Sequence, residues 1–93
     1  MRRKTVRFTQ GGAAGLPNDK PVVYKIQTDG GKTNYVGVAK RGRVQERIQE
    51  HLADGTIPGA KVQVQQMPTI QEAEKTEERI IARTQPKYNE QSK

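Results

Sequence analysis

The stretch Val22-Val23-Tyr24-Lys25-Ile26 decides the fold of this chain, and Thr33-Asn34-Tyr35-Val36-Gly37-Val38 is its counterpart. Side chains in each run alternate between two faces, which is typical of β-strands. The segment between them contains Asp29-Gly30-Gly31-Lys32, and paired glycines supply the positive φ angles that tight turns need. The sequence therefore predicts a β-hairpin with Tyr24 on one strand and Tyr35 on the other. Each tyrosine, taken singly, also fits an amphipathic core position.

A helical pattern follows this hairpin. Val44, Ile48 and Leu52 recur every four residues, which predicts a helix from about residue 43 to residue 53 with one buried stripe. Arg47 and His51 have the same spacing, so their side chains project next to each other at the border of the stripe. That position suits groups that face a cleft. His51 also fits an ordinary surface position near the end of a helix.

A third strand and a second helix complete the pattern. Alternation of apolar and polar residues over 61–66 predicts the strand, and the helical spacing of apolar residues over 70–84 predicts the helix. Thr69, with Glu72 three positions later, matches a capping box at the start of this helix, and Pro86 stops it.

The second helix carries a carboxylate on its apolar face. The apolar stripe consists of Ile70, Ala73, Ile80 and Ile81, and Glu77 falls at its centre. A buried carboxylate is costly unless a cation or hydrogen-bond donors meet it. Glu77 therefore either makes a structural ion pair or lines a site that binds something positive.

Residues 1–21 precede the hairpin without a clear period. The run Gly11-Gly12-Ala13-Ala14-Gly15 is typical of irregular chain, and Val6 and Phe8 alternate over too short a stretch to define a strand. We expect residues 1–21 to form a basic, flexible tail and residues 22–93 to form the folded domain.

The charge of the chain is unevenly distributed. The net charge is +7; residues 1–50 contain eleven Lys and Arg against four Asp and Glu, whereas residues 51–93 contain six of each sign. A polyanion such as nucleic acid is the natural partner of such a surface. A net charge of this size also serves solubility alone.

The composition excludes several classes of protein. The chain has no cysteine, so disulfides and thiolate metal sites are excluded, and no apolar run approaches the roughly 18 residues of a membrane span. Its 93 residues, of which 31% are hydrophobic, indicate one small domain with a thin core. We expect a cytoplasmic (intracellular) protein without a membrane partner.

The order of these features resembles the GIY-YIG nuclease family, whose two tripeptides read Val22-Val23-Tyr24 and Tyr35-Val36-Gly37 here. The resemblance spans residues 22–89. The chain departs from the family at Val22, which replaces a glycine, and in a Tyr35-to-Arg47 interval about two residues longer than usual. The matching positions are Tyr24, Tyr35, Gly37, Arg47, His51, Glu77 and Asn89.

The resemblance implies an α+β fold with a three-stranded antiparallel sheet flanked by helices, in the order β-β-α-β-α. It also implies hydrolysis of DNA phosphodiester bonds with one Mg²⁺ or Mn²⁺ ion bound by Glu77. In the implied roles, Tyr35 is the general base, Tyr24 orients it or the water, and Arg47 holds the scissile phosphate. The longer interval leaves Arg43 as an alternative to Arg47. His51 and Asn89 support the site, Gly37 is structural, and Lys40, Arg41, Arg43 and Arg47 contact the nucleic acid.

The sequence thus predicts a metal-dependent endonuclease that acts on DNA. Two other functions stay open: a catalytically silent nucleic-acid-binding module that kept the fold, and a nuclease subunit recruited by a partner protein. RNA as the substrate and the oligomeric state are left open as well.

Overall fold

The computed structural model describes residues 3–88, which form one four-stranded sheet and three helices. In chain order these are β1 (Arg3–Arg7), α1 (Gln10–Ala14), β2 (Val22–Gln27), β3 (Thr33–Ala39), α2 (Val44–Asp54), β4 (Lys61–Gln66) and α3 (Ile70–Thr84).

All neighbouring strands run antiparallel, in the spatial order β1-β4-β2-β3. The hairpin of β2 and β3 turns through Gly31, whose φ of 95° is a left-handed conformation that glycine tolerates. The α+β class and the order of elements from β2 to α3 confirm the prediction from sequence. The prediction of three strands is wrong, because residues 3–7 supply a fourth.

The segment expected to be a flexible tail also differs from that expectation. β1 pairs with β4 along its whole length, with Arg7 opposite Lys61. α1 follows, capped by the Thr9 hydroxyl, which accepts a 3.0 Å hydrogen bond from the Gly12 N–H. Local patterns did not reveal β1, because its neighbour in the sheet lies far along the chain and packing across strands determines whether such a short run forms a strand.

A hydrophobic layer packs against each face of the sheet. α1 and α2 pack on one face, and α3 packs on the other, over β3 and β2. The first layer is the larger; its buried members are Ala13, Leu16, Val22, Tyr24, Ile26, Ala39, Val44, Ile48, Val62 and Val64. The second consists of Val23, Val36, Met67, Ala73 and Ile80.

The start of α2 is held by a residue distant in sequence. The Asn18 side-chain oxygen accepts hydrogen bonds from the backbone N–H groups of Val44 at 2.9 Å and Gln45 at 3.2 Å. The residue at the usual capping position, Arg43, makes no side-chain cap. Asn18 therefore satisfies donors that the first turn of a helix leaves without an intrahelical partner.

α3 has the predicted boundaries, and α2 begins and ends one residue later than predicted. The Thr69 hydroxyl accepts a hydrogen bond from the Glu72 N–H at 3.2 Å and caps α3, and Gly55 ends α2 with a φ of 71°. Within residues 3–88, no helix is long and apolar enough to cross a membrane.

Replacing Asn18 by alanine is expected to lower the free energy of unfolding by about 1–2 kcal/mol, because two N–H groups of α2 lose their acceptor. Urea denaturation measures this loss. Asp19→Ala is the matched control: it removes only an exposed hydrogen bond to Gln66 and should stay within about 0.5 kcal/mol. Equal losses in the two variants would contradict the capping role of Asn18.

Candidate active site at the edge of the sheet

The hairpin brings the two tyrosines onto the same face of the sheet, beneath α2. Tyr24 lies opposite Gly37 in the strand pairing, and Tyr35 lies opposite Ile26. Tyr24 is fully buried, whereas Tyr35 is half-buried, and their ring centres are 6.2 Å apart. The two phenols therefore form a pair in which Tyr35 is the member with access to solvent.

Gly37 makes room for this pair. A β-carbon at Gly37 would lie 2.5 Å from the Tyr24 hydroxyl oxygen, 2.6 Å from its Cζ and 3.0 Å from Cε2 of Tyr35. Each of these distances is shorter than van der Waals contact, so any side chain at this position would displace the rings. The space at this position thus favours glycine for a steric reason rather than a conformational one.

His51 from α2 completes an aromatic cluster over the tyrosines. Its Nε2 lies 2.6 Å from the Tyr24 hydroxyl oxygen, and its ring centre is 5.0 Å from that of Tyr35. Burial, assisted by Tyr35 and Glu77 and opposed by Arg47, raises the pKa of the Tyr24 hydroxyl. Tyr24 therefore keeps its proton at neutral pH, and we assign its O–H as the donor to Nε2 of a neutral His51.

Burial and the charge of Arg47 both favour the neutral form of His51. Burial first, and then the positive charge of Arg47, lowers the pKa of His51, while Asp54 and Glu50 raise it and offset part of this shift. A neutral imidazole can accept the Tyr24 proton, so the hydrogen bond and the lowered pKa are consistent.

Arg47 and Arg43 occupy different positions on α2. Arg43 pairs with Glu46 at 3.0 Å and approaches Glu50 at 3.9 Å on the exposed side of the helix. Arg47 also contacts Glu50, at 3.5 Å, but it is Arg47 whose charge acts on Tyr24 and His51. The geometry therefore favours Arg47 over Arg43 as the cation at the tyrosines.

Glu77 approaches the same cluster from the opposite layer. It is half-buried on α3, between the buried Ala73 and Ile80, and its negative charge contributes to the raised pKa of Tyr24. Among residues 3–88, no cationic side chain lies within ion-pair distance of its carboxylate. Of the two alternatives from sequence, a structural ion pair therefore finds no support within these residues.

The charge of Glu77 is poorly compensated. Burial, followed by the neighbouring charges of Glu74 and Glu78, raises the pKa of the Glu77 carboxyl. A bound cation would favour its ionised form. The described residues contain no group of three or more His, Asp or Glu side chains arranged to hold a metal ion. Glu77 is thus suited to be a single protein ligand, with water and substrate oxygens as the others.

A cleft joins the two helices at the β3 edge of the sheet. It has a volume of about 260 Å³, and its polar lining is Lys40, Arg43, Arg47 and Glu74. Of the four predicted nucleic-acid contacts, Arg41 is exposed but does not line this cleft. Glu74, one turn before Glu77, is the cleft residue that the sequence analysis did not select; its position at the edge of the apolar stripe was the available signal.

The chain after α3 returns to the same edge. Pro86 is buried, and the Tyr88 N–H donates a 3.0 Å hydrogen bond to the backbone oxygen of Asn34 on β3. Asn89, predicted to support the site, lies outside the described residues.

No protein-family model matches the chain, and no curated protein or solved structure matches it. The functional assignment therefore depends on the residues described above.

Replacing Gly37 by alanine is expected to lower the free energy of unfolding by about 1–3 kcal/mol, because the new methyl group overlaps the rings of Tyr24 and Tyr35. Chemical denaturation measures the effect. Gly30→Ala in the adjacent turn is the control, since the nearest atom to its β-carbon is 4.0 Å away. Native stability in Gly37→Ala would show that the rings move aside freely.

His51 is the only histidine of the chain, so its imidazole can be followed by NMR during a pH titration. We expect a midpoint below the ordinary 6.5. Because the native pKa is below the unfolded value, the contribution of His51 to stability is full above pH 6.5 and declines as the pH falls toward the native pKa. The fall in melting temperature over this range should be smaller in His51→Gln; a midpoint above 6.5 would refute the assignment.

Proposed function

We propose that this protein is a small metal-dependent endonuclease of the GIY-YIG type that hydrolyses DNA phosphodiester bonds. The observation that carries the proposal is the convergence of Tyr24, Tyr35, His51 and Arg47 with Glu77, a carboxylate from the opposite face of the sheet that has no cationic partner among residues 3–88. DNA as the partner and the cytoplasm as the site of action are parts of the same proposal.

Tyr35 is the proposed general base. It is the more accessible tyrosine of the pair, whereas Tyr24 is fully buried and hydrogen-bonded to His51. Tyr24 and His51 would then hold the Tyr35 ring in place. A phenol is a weak base at neutral pH, and cations near it are the means of activating it.

Arg47 is the proposed ligand of the scissile phosphate. Its guanidinium lies at the junction of the tyrosine cluster and the cleft. Arginine offers paired donors that match phosphate oxygens and can offset charge that develops there during attack. Lys40, Arg41 and Arg43, all exposed around the same edge, would contact the flanking backbone.

Glu77 is the proposed metal ligand. Mg²⁺ prefers carboxylate oxygens and retains most of its water, so one glutamate together with substrate phosphate suffices. When bound, such an ion supplies charge relief at the phosphate and at the leaving 3′-oxygen. The poorly compensated charge of Glu77 supports this role.

The test is nicking of supercoiled plasmid with Mg²⁺ or Mn²⁺ by the native protein and by Glu77→Gln and Tyr35→Phe. Loss of a general base lowers the rate by on the order of 10²–10⁴-fold, and loss of the metal ligand should abolish nicking. Glu78→Gln is the matched control, because Glu78 is an exposed neighbour on the same helix. It should retain activity.

Two outcomes would overturn the nuclease proposal. Nicking that survives in Glu77→Gln would exclude the proposed metal site. If the native protein retards the plasmid on a gel but never cuts it or a branched DNA, a catalytically silent binding module becomes the better description.

A further inference from the structure

The face of the sheet beneath α3 is only partly covered. α3 packs on β3 and β2, so the same face of β4 and β1 extends beyond the helix. The alternation of the paired strands places Arg3, Thr5 and Arg7 of β1 on this face, beside Lys61 and Gln63 of β4. The β1 residues are exposed, and those of β4 are half-buried. This part of the sheet therefore presents polar side chains where a core face would present apolar ones.

Every charged side chain on the four strands is cationic. None of the four strands, Arg3–Arg7, Val22–Gln27, Thr33–Ala39 and Lys61–Gln66, contains an Asp or Glu. The charged side chains that strands contribute to this face are therefore all cationic.

A cleft of about 670 Å³ lies between this face and α3. Its cationic lining consists of Arg3 and Lys25 from the sheet and Arg79 and Arg83 from the helix, and Glu72 is its acidic member. Four cations thus face one carboxylate. Among residues 3–88, none of these four cations takes part in an ion pair.

The excess of positive charge in this cleft acts on Lys25. It is half-buried on the central strand β2, and burial, followed by the charges of Arg3 and Arg83, lowers its pKa. A half-buried cation close to other cations opposes folding unless an anion compensates it. The arrangement thus resembles an anion-binding site more than a structural contact.

We propose that this cleft, together with the open sheet face beside it, is a second contact surface for the phosphate backbone of DNA. The groups that would bind phosphate oxygens are Arg3, Lys25, Arg79 and Arg83, with Arg7 and Lys61 extending the surface along the strands. Charge complementarity selects a polyanion as the occupant.

This surface is separate from the proposed active site. Tyr24 and Tyr35 lie on the other face of the sheet, and the active-site cleft opens at the β3 edge, whereas Arg3 belongs to the opposite edge strand β1. The inference rests on the proposed function only in naming DNA as the polyanion. It does not require that the protein cleaves DNA.

The test measures the affinity for a fluorescent DNA duplex by anisotropy, without divalent metal and over a series of salt concentrations. In Lys25→Gln/Arg83→Gln, two phosphate contacts are lost, so the slope of log K against log salt should become shallower by about 1.8. At about 0.1 M salt this corresponds to a loss of affinity of roughly 60-fold. Lys20→Gln/Lys32→Gln removes the same charge from two exposed lysines outside the cleft and is the matched control.

The result that supports the proposal is a change in slope confined to the cleft variant, whose melting temperature stays equal or rises because charge repulsion is relieved. Equal weakening in the two double variants would overturn it, because net charge alone would then explain binding. A native slope in the cleft variant would overturn it as well. Glu77→Gln separates the two proposals, because it should lose nicking and keep the native slope. Nicking tests the nuclease proposal, and the salt slope tests the second contact surface.

Discussion

The site depends on the close approach of two tyrosine rings to the backbone of an edge strand. Tyr24 occupies the space that a side chain at Gly37 would fill, and this position brings its hydroxyl within 2.6 Å of His51. The same ring is part of the core beneath α2, so packing of the hydrophobic layer and geometry of the polar cluster are one constraint. Because interiors are close-packed, the orientation of α2 and the positions of the phenols cannot vary independently.

The proposed site combines groups from both faces of the sheet. α2 contributes Arg47 and His51 from one side, and α3 contributes Glu77 from the other. They meet because β3 is an edge strand, so long side chains can pass around it instead of through the sheet. A central strand would have kept the two layers apart. The burial that raises the pKa of Glu77 is the cost of bringing a carboxylate so close to an apolar layer.

Local patterns predicted the elements from β2 to α3, since each has a strong period and clear end signals. The unusual position of Glu77 on an apolar stripe was also readable, because a helical wheel needs only the spacing of residues. What local reasoning could not supply was contact between distant segments. β1 becomes a strand through pairing with β4, and α2 obtains its cap from Asn18, which precedes the hairpin and lies 26 positions before Val44. The choice of Arg47 over Arg43 as the cation at the tyrosines likewise required the ion pairs that the structure shows on α2.

The order of strands in the sheet has a consequence for how the chain acquires its fold during synthesis. β1 leaves the ribosome before the other strands, yet its neighbour in the sheet is β4, which is made last of the four. The hairpin can form as soon as it emerges. Residues 3–7 can pair only after their partner strand, Lys61–Gln66, has been synthesised. Such distant pairing raises the contact order and slows folding. During that interval β1 exposes a row of backbone donors and acceptors, and its one lysine and two arginines discourage pairing with other chains.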